Sequence, residues 1–167
     1  MSARGNGSAV RVRGATPEDA PELARLRWEH CLELGGYPGA DGDALGREEF
    51  DAAFAAFLEE SLLSGRWAVW LAEVDGAAVG TLSVQRVAAV PTPWQTVRGW
   101  GYVTSVQVVP ARRGRGVGRL LMDAARSWAG DEGLELLHLW PSPDSVAFYR
   151  AVGYSPAVSA MELWLDG

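Results

Sequence analysis

The hydrophobic positions of this chain change period several times, and each change marks an element. Ala9–Arg13 (AVRVR) alternates apolar and polar residues, the period of a half-buried strand. Thr16-Pro17-Glu18-Asp19 then reads as a helix start, with Thr as N-cap, Pro in the first turn and acids behind it. Helical spacing runs to about Leu34, where Gly35-Gly36 stops it, and aligns Leu23, Leu26, His30 and Leu34 on one stripe. His30 therefore faces the core or the rim of a pocket, and a hydrogen-bonded core histidine is the plainer of the two.

Tyr37–Gly46 is rich in glycine and aspartate and reads as a loop; Arg47–Ser64 is a second helix, with Phe50, Phe54, Phe57 and Leu58 spaced to enter the core. Trp67–Val74 and Ala77–Arg86 flank Asp75-Gly76, a strong local signal for an antiparallel hairpin. Val90–Arg98 carries two prolines and is excluded from a central strand. Trp100–Val109 is a fourth strand; simple alternation puts Tyr102, Thr104, Val106 and Val108 on one face and Val103, Ser105, Gln107 and Val109 on the other. Gly116–Ala129 is a third helix, Leu134–Trp140 a fifth strand apolar enough to be covered on both faces, and Asp144–Ala151 a short fourth helix. Ser159–Leu165 predicts a last strand, or two with the segment after Tyr154. The result is a mixed α/β fold of six to seven strands and about four helices, a single domain over residues 9–167 behind a loose tail at 1–8.

Composition narrows the chemistry mainly by what is missing. All 15 basic residues are arginine, so no lysine is present to form a Schiff base or to serve an NTPase phosphate loop. Two histidines and one cysteine make a metal site of nitrogen and sulfur ligands an unfavoured reading, and none is expected. Cys31 has no internal disulfide partner, no apolar run approaches the roughly 18 residues of a membrane span, and the opening MSARGNGSAVRV lacks the apolar centre of a signal peptide. A cytoplasmic protein is the expectation, with no membrane partner. The net charge of −6 disfavours nucleic acid and suits a cationic small substrate.

Against that acidic background, Val108–Ala125 (VVPARRGRGVGRLLMDAA) sets four arginines and three glycines between a β-branched run and a helix. The NTPase loop fails for want of its lysine, and the dinucleotide fingerprint fails because the spacing from Gly114 is G-x-G-x-G. What remains is R-x-x-G-x-G at Arg113, Gly116 and Gly118, running straight from a strand into a helix. A helix start offers unpaired N–H groups and partial positive charge, and glycines let phosphate oxygens approach the backbone. Arg113, Arg115 and Arg119 can add charge-assisted bonds to such an anion.

This stretch, with LELLHLWPSPDSVAFYRAVGY after it, resembles the GNAT acetyltransferase superfamily. The likeness rests on the V-x-V-x-P strand end, the R-x-x-G-x-G turn and the F-Y-x-x-x-G-Y helix end at Phe148–Tyr154, and the order of elements agrees with it. The resemblance implies a twisted, mostly antiparallel mixed sheet with a V-shaped split between the fourth and fifth strands. It implies acetyl-CoA as acyl donor, its pantetheine arm on the backbone of Val106, Gln107 and Val108 and its pyrophosphate in the turn formed by Arg113, Gly114, Arg115, Gly116, Val117, Gly118 and Arg119. Tyr149 matches the family's acid for the leaving thiolate, and Ser142 stands where the family often has a cofactor-binding asparagine.

The implied reaction is attack of a primary amine on the thioester, with the oxyanion held by a fourth-strand amide, that of Val108. The family's glutamate base on the fourth strand is absent from YVTSVQV, which leaves Glu29, His30, Glu33, Asp41, Asp43 or a water chain as alternatives. The acceptor cleft falls to Trp28 through Phe54, with Trp94 and Trp100 as further candidates, and a homodimer is compatible with the pattern. A catalytically weak acyl-CoA-binding sensor or partner module, a longer acyl group and an oxygen acceptor are the alternatives.

Overall fold

The computed structural model describes residues 9–35, 45–93, 98–158 and 160–163. The expected tail at 1–8, Asp41, Asp43, Trp94, Ser159 and residues 164–165 of the expected last strand lie outside the described residues. The strands β1 (Arg11–Gly14), β2 (Trp67–Val74), β3 (Ala77–Val87), β4 (Trp100–Val108) and β5 (Leu137–His138) form one sheet in that order. Pairing is antiparallel from β1 to β4 and parallel between β4 and β5. The helices are α1 (Ala20–Glu33), α2 (Arg47–Ser64), α3 (Val117–Asp131) and α4 (Val146–Ala151).

The strand faces sort the helices into two layers. Leu23 and Leu26 of α1 and Leu58 of α2 close over Val69, Leu71 and Ala78 on one face. Leu121, Met122 and Ala125 of α3 close over Trp70, Leu82, Val84 and Val103 on the other. Asp75 and Gly76 join β2 to β3 with φ of 53° and 78°, the left-handed pair that a tight hairpin turn requires. Arg13 ties β1 to its neighbours by reaching Asp19 at 2.7 Å and Glu73 at 2.8 Å.

One irregularity governs the rest. Along β3–β4, Thr81 faces Gln107 while Ser83 faces Thr104, so two steps on β3 answer three on β4. The extra residue is a β-bulge, and Ser105 takes it up with φ of 52°. Alternation reverses across it: Val103, Val106 and Val108 all pack on the α3 side, whereas Gln107 turns towards α1. The faces read from simple alternation are therefore correct only up to the bulge.

The bulge also explains why β5 is short. Only Leu137 and His138, out of the seven-residue apolar run, pair with β4, at Gly101 and Tyr102. Beyond that point β4 and β5 are no longer paired, which is the split between the fourth and fifth strands. The sheet has five strands among the described residues rather than six to seven. Residues 160–163 form no strand, because a strand needs a backbone partner; they are tied down through Trp140 Nε1, which donates to Glu162 Oε1 at 2.7 Å.

Two expectations about the helices also change. Leu34 is exposed, lying at the C-cap of α1 beyond the stripe. Of the three phenylalanines only Phe54 packs against the core, half-buried; with Phe50, Phe57, Trp28 and Trp67 it forms a ladder of ring contacts 5.3–6.2 Å apart, Phe57 being exposed.

A left-handed β-branched residue at the bulge is strained by about 1–2 kcal/mol, and glycine is not. Ser105→Val is therefore expected to lower the urea midpoint by the equivalent of about 2 kcal/mol, while Ser105→Gly stays close to wild type.

Candidate active site

The end of β4 presents its backbone to the split. Val109 N–H donates to Val79 O at 2.9 Å on β3, and successive backbone groups along a strand point to opposite sides. The Val108 and Val106 amides consequently face away from β3, on the side β5 has left. The Val108 carbonyl on that side accepts from Arg113 Nε at 2.9 Å. Gln107 behaves differently: its side chain is 7% exposed, and its Oε1 is buried with no hydrogen-bond partner.

The turn into α3 uses its three glycines in two ways. Gly114 and Gly116 have φ of 70° and 84°, and a Cβ at either would meet open space. Only glycine enters this conformation without strain, and the space stays clear for an incoming group. Gly118 is a packing residue, since a Cβ there would lie 3.1 Å from Phe148 Cζ. It lets α4, which carries Tyr149, sit against the start of α3. No side chain caps α3, and its first backbone bond is Leu120 N–H to Gly116 O at 3.1 Å. The N–H groups before Leu120 are thus available to an anion, with the helix dipole behind them. Val117 is buried in the core, so only its backbone can take part.

The arginines divide in a way the sequence did not foretell. Arg113, expected on a phosphate, makes two bonds of 2.6 Å to the Glu33 carboxylate on α1 and holds the Val108 carbonyl as well. It acts as a strut between α1 and the end of β4, and its guanidinium holds the Glu33 carboxyl below the usual range. Arg119 donates to Ala151 O at 3.0 Å, joining α3 to α4, and Arg115 is exposed. Of the three, Arg115 has the side chain freest to meet an anion.

Tyr149 is half-buried between Phe148 and Tyr154, at ring distances of 5.1 and 5.8 Å. Burial pushes its phenol pKa up, so the group carries its proton at neutral pH. Ser142 is exposed, and its hydroxyl lies 3.0 Å from Ser145 Oγ in the turn leading to α4. A groove of about 970 Å3 along β5, α3 and α4 has Leu137, Leu139 and Tyr149 on its wall.

A smaller cavity of about 310 Å3 lies between α1 and the end of β4, lined by Glu29, His30, Glu33, Gln107, Val108 and Arg113 among others. His30 Nδ1 is buried there with no hydrogen-bond partner, so His30 is not the satisfied core histidine of the plainer reading. The Gln107 side chain escaped the sequence reading because only the bulge aims it at α1. No group of residues suited to hold a metal occurs among the described residues.

A family model described as acetyltransferase (GNAT) domain matches residues 65–156. The chain belongs to the GNAT acetyltransferase family. It is an acyltransferase, similar to the aminoglycoside N(6')-acetyltransferase type 1 of Stenotrophomonas maltophilia at 34% identity, over 88% of this chain and 87% of that one. Its fold is shared by a predicted acetyltransferase of Clostridium acetobutylicum solved with acetyl-CoA, at 20% identity and a TM-score of 0.74, covering 93% of this chain and 96% of that one. It is shared equally by the aminoglycoside N-acetyltransferase AAC(6')-Iy solved with CoA, at 20% identity and a TM-score of 0.73, covering 98% and 99%. Among the described residues no helix is long and apolar enough to cross a membrane.

The contact at Gly118 yields a stability test. Gly118→Ala forces Phe148 to give by a few tenths of an ångström and, with alanine's better helix propensity offsetting part of that strain, is expected to cost up to about 1 kcal/mol in urea denaturation. Phe148→Leu removes the ring edge, so the double variant is expected to lose less than the sum of the two single changes.

Proposed function

We propose that this chain transfers an acetyl group from acetyl-CoA to an amino group of an aminoglycoside, residues 9–167 forming one acetyltransferase domain. The observation that carries the donor half is the pairing of two backbone sites: the uncapped α3 start at Gly116 and the β4 amides turned into the split. The acceptor half draws on the named activity of the 34% identical relative and on the net charge of −6, which suits a polycationic sugar.

In this reading the N–H groups of Gly116, Val117, Gly118 and Arg119, with Gly114 clearing the approach and Arg115 adding charge, hold the pyrophosphate. A single helix start contributes only about 0.3–1 kcal/mol, or ~2 when partly buried, so several donors must act together. Val106 and Val108 bond the pantetheine arm, and the Val108 N–H takes the oxyanion as the thioester carbonyl becomes tetrahedral. Gln107, whose backbone faces Thr81 of β3, leaves the arm to the amides on either side of it, Ser142 supplies a hydroxyl only by leaving its own turn, and Arg113 acts by holding the Val108 carbonyl. Tyr149 gives its proton to the departing thiolate. The raised phenol pKa keeps that proton in place until the sulfur's charge develops.

Melting curves provide the first test. Acetyl-CoA at 100 times its dissociation constant is expected to stabilise the protein by about 2.7 kcal/mol, and absence of any shift refutes the donor assignment. Thiol release is then followed with an aminoglycoside bearing a 6'-amino group. In that assay Tyr149→Phe should lower kcat by about 10²–10⁴-fold with the KM for acetyl-CoA nearly unchanged. A Phe variant as fast as wild type removes Tyr149 from the mechanism.

A further inference from the structure

The cavity between α1 and the end of β4 contains polar atoms whose bonding is incomplete. Gln107 Oε1 and His30 Nδ1 are both buried and both lack a hydrogen-bond partner. An unpaired buried acceptor costs about 1–3 kcal/mol, so both atoms call for a donor, which water or a bound group can supply. Both atoms are acceptors or can be, so the missing group is a donor of at least two N–H or O–H bonds. An ammonium fits that description. A carboxylate or phosphate does not, because it has no hydrogen to offer Gln107 Oε1.

The other polar groups on the cavity are already occupied. Glu33 gives both carboxylate oxygens to Arg113, and Glu29 is held by Arg25 at 3.0 Å. Among the described residues lining the cavity, His30 alone offers a basic nitrogen that is not engaged. Val108, whose amide faces the split, lines the same cavity through the chain segment it shares with Gln107.

Resting on the acetyltransferase reading above, we propose that His30 takes the proton from the acceptor's ammonium group and that the Gln107 side-chain carbonyl holds that nitrogen in place. An N–H bond of the ammonium breaks, its proton passes to the imidazole, and the freed pair forms the N–C bond to the thioester carbonyl. The C–S bond then breaks with its electrons on sulfur, which takes the Tyr149 proton. Of the two protons the nitrogen sheds in becoming an amide, one leaves for solvent by way of His30. The other restores Tyr149. His30 is about a quarter exposed, which gives its proton a way out.

The charges around the ring support this. Burial lowers the His30 pKa most, Arg27 on its own helix and Arg113 from the turn after β4 lower it further, and Glu33 opposes them. The imidazole is therefore neutral at pH 7 and ready to accept. Glu33 stands 3.9 Å from Nδ1, near enough to steady the imidazolium once formed.

The experiment measures kcat/KM against pH for thiol release with an aminoglycoside bearing a 6'-amino group, in wild type, His30→Gln and Gln107→Leu. His30→Gln is expected to lose about 100-fold near pH 7, with the acid limb moving from below the ordinary histidine value up to the acceptor amine's own pKa. Gln107→Leu is expected to raise the amine's KM about tenfold, its kcat holding, without lowering Tm, since it deletes an unpaired buried carbonyl. A His30→Gln profile that superimposes on wild type overturns the proposal while leaving the transferase intact. Failure of wild type to acetylate any amine brings down the transferase reading and this inference together. Should His30→Gln not fold, the two histidines of the wild type can be followed by imidazole nitrogen NMR with CoA present. His30 should be neutral at pH 7 and its signal should move on adding the aminoglycoside; a signal that stays put overturns the proposal.

Discussion

The extra residue at Ser105 is the constraint from which the rest of the molecule follows. Antiparallel pairing with β3 would otherwise carry β4 straight on, its faces alternating and its outer edge parallel to β5. By taking a left-handed conformation, Ser105 lets Thr81 face Gln107 where unbroken register would bring Val106. Beyond it, Val106 and Val108 keep contact with the α3 layer while the Gln107 side chain turns to α1. The same step ends the pairing with β5 after Tyr102 and His138. One strained backbone position thereby opens the sheet, exposes amides in the opening and chooses which side chain meets the first helix.

Charge is arranged around that opening with more economy than the arginine-rich turn implies. A phosphate could be bound by four arginines, yet two of those in reach are committed within the protein. Arg113 bridges Glu33 and the Val108 carbonyl, and Arg119 bridges to Ala151. The Arg113–Glu33 pair is exposed on both sides and contributes little to stability by itself, because solvent screens it. Its value is positional: it joins the C-terminal turn of α1 to the end of β4, the two walls of the cavity holding His30. Under the proposed function anion binding is left mainly to backbone N–H groups, which no side-chain rotation can misplace.

Local signals were legible in the chain, and long-range ones were not. Asp75-Gly76 fixes its hairpin by backbone preference alone, and Gly65 ends α2 in the left-handed conformation its sequence implies. The glycines at 114 and 116 likewise announce themselves. The β4 bulge has no such mark, because Ser105 is an ordinary residue whose strain comes from pairing with β3, a strand distant from it in the chain. Every error on β4 descends from that one omission, including the face given to Gln107. Residues 160–163, the described part of the expected last strand, form none for a related reason: alternation at Met161 and Leu163 describes a strand's surface, while forming one takes a free sheet edge in register. The phenylalanines of α2 have helical spacing as expected, yet of the three Phe54 alone packs against the core, and the rings stack on one another along the helix.

The division between what could and could not be read has a chemical counterpart. Under the proposed function backbone groups meet the donor's anion, and glycine spacing is enough to advertise such a site. An acceptor is recognised by side chains, and these converge only after the fold brings α1 against β4. Glu29, His30 and Glu33 lie far from Gln107 and Arg113 in the chain, and no spacing rule connects them. Substrate choice in such a protein can therefore change through a few residues on α1 while the donor machinery stays fixed. β4 carries no glutamate, and under the proposal above the base comes from the helix that covers the strand. On the same cavity as the Gln107 side chain stands the His30 imidazole, whose pKa burial lowers.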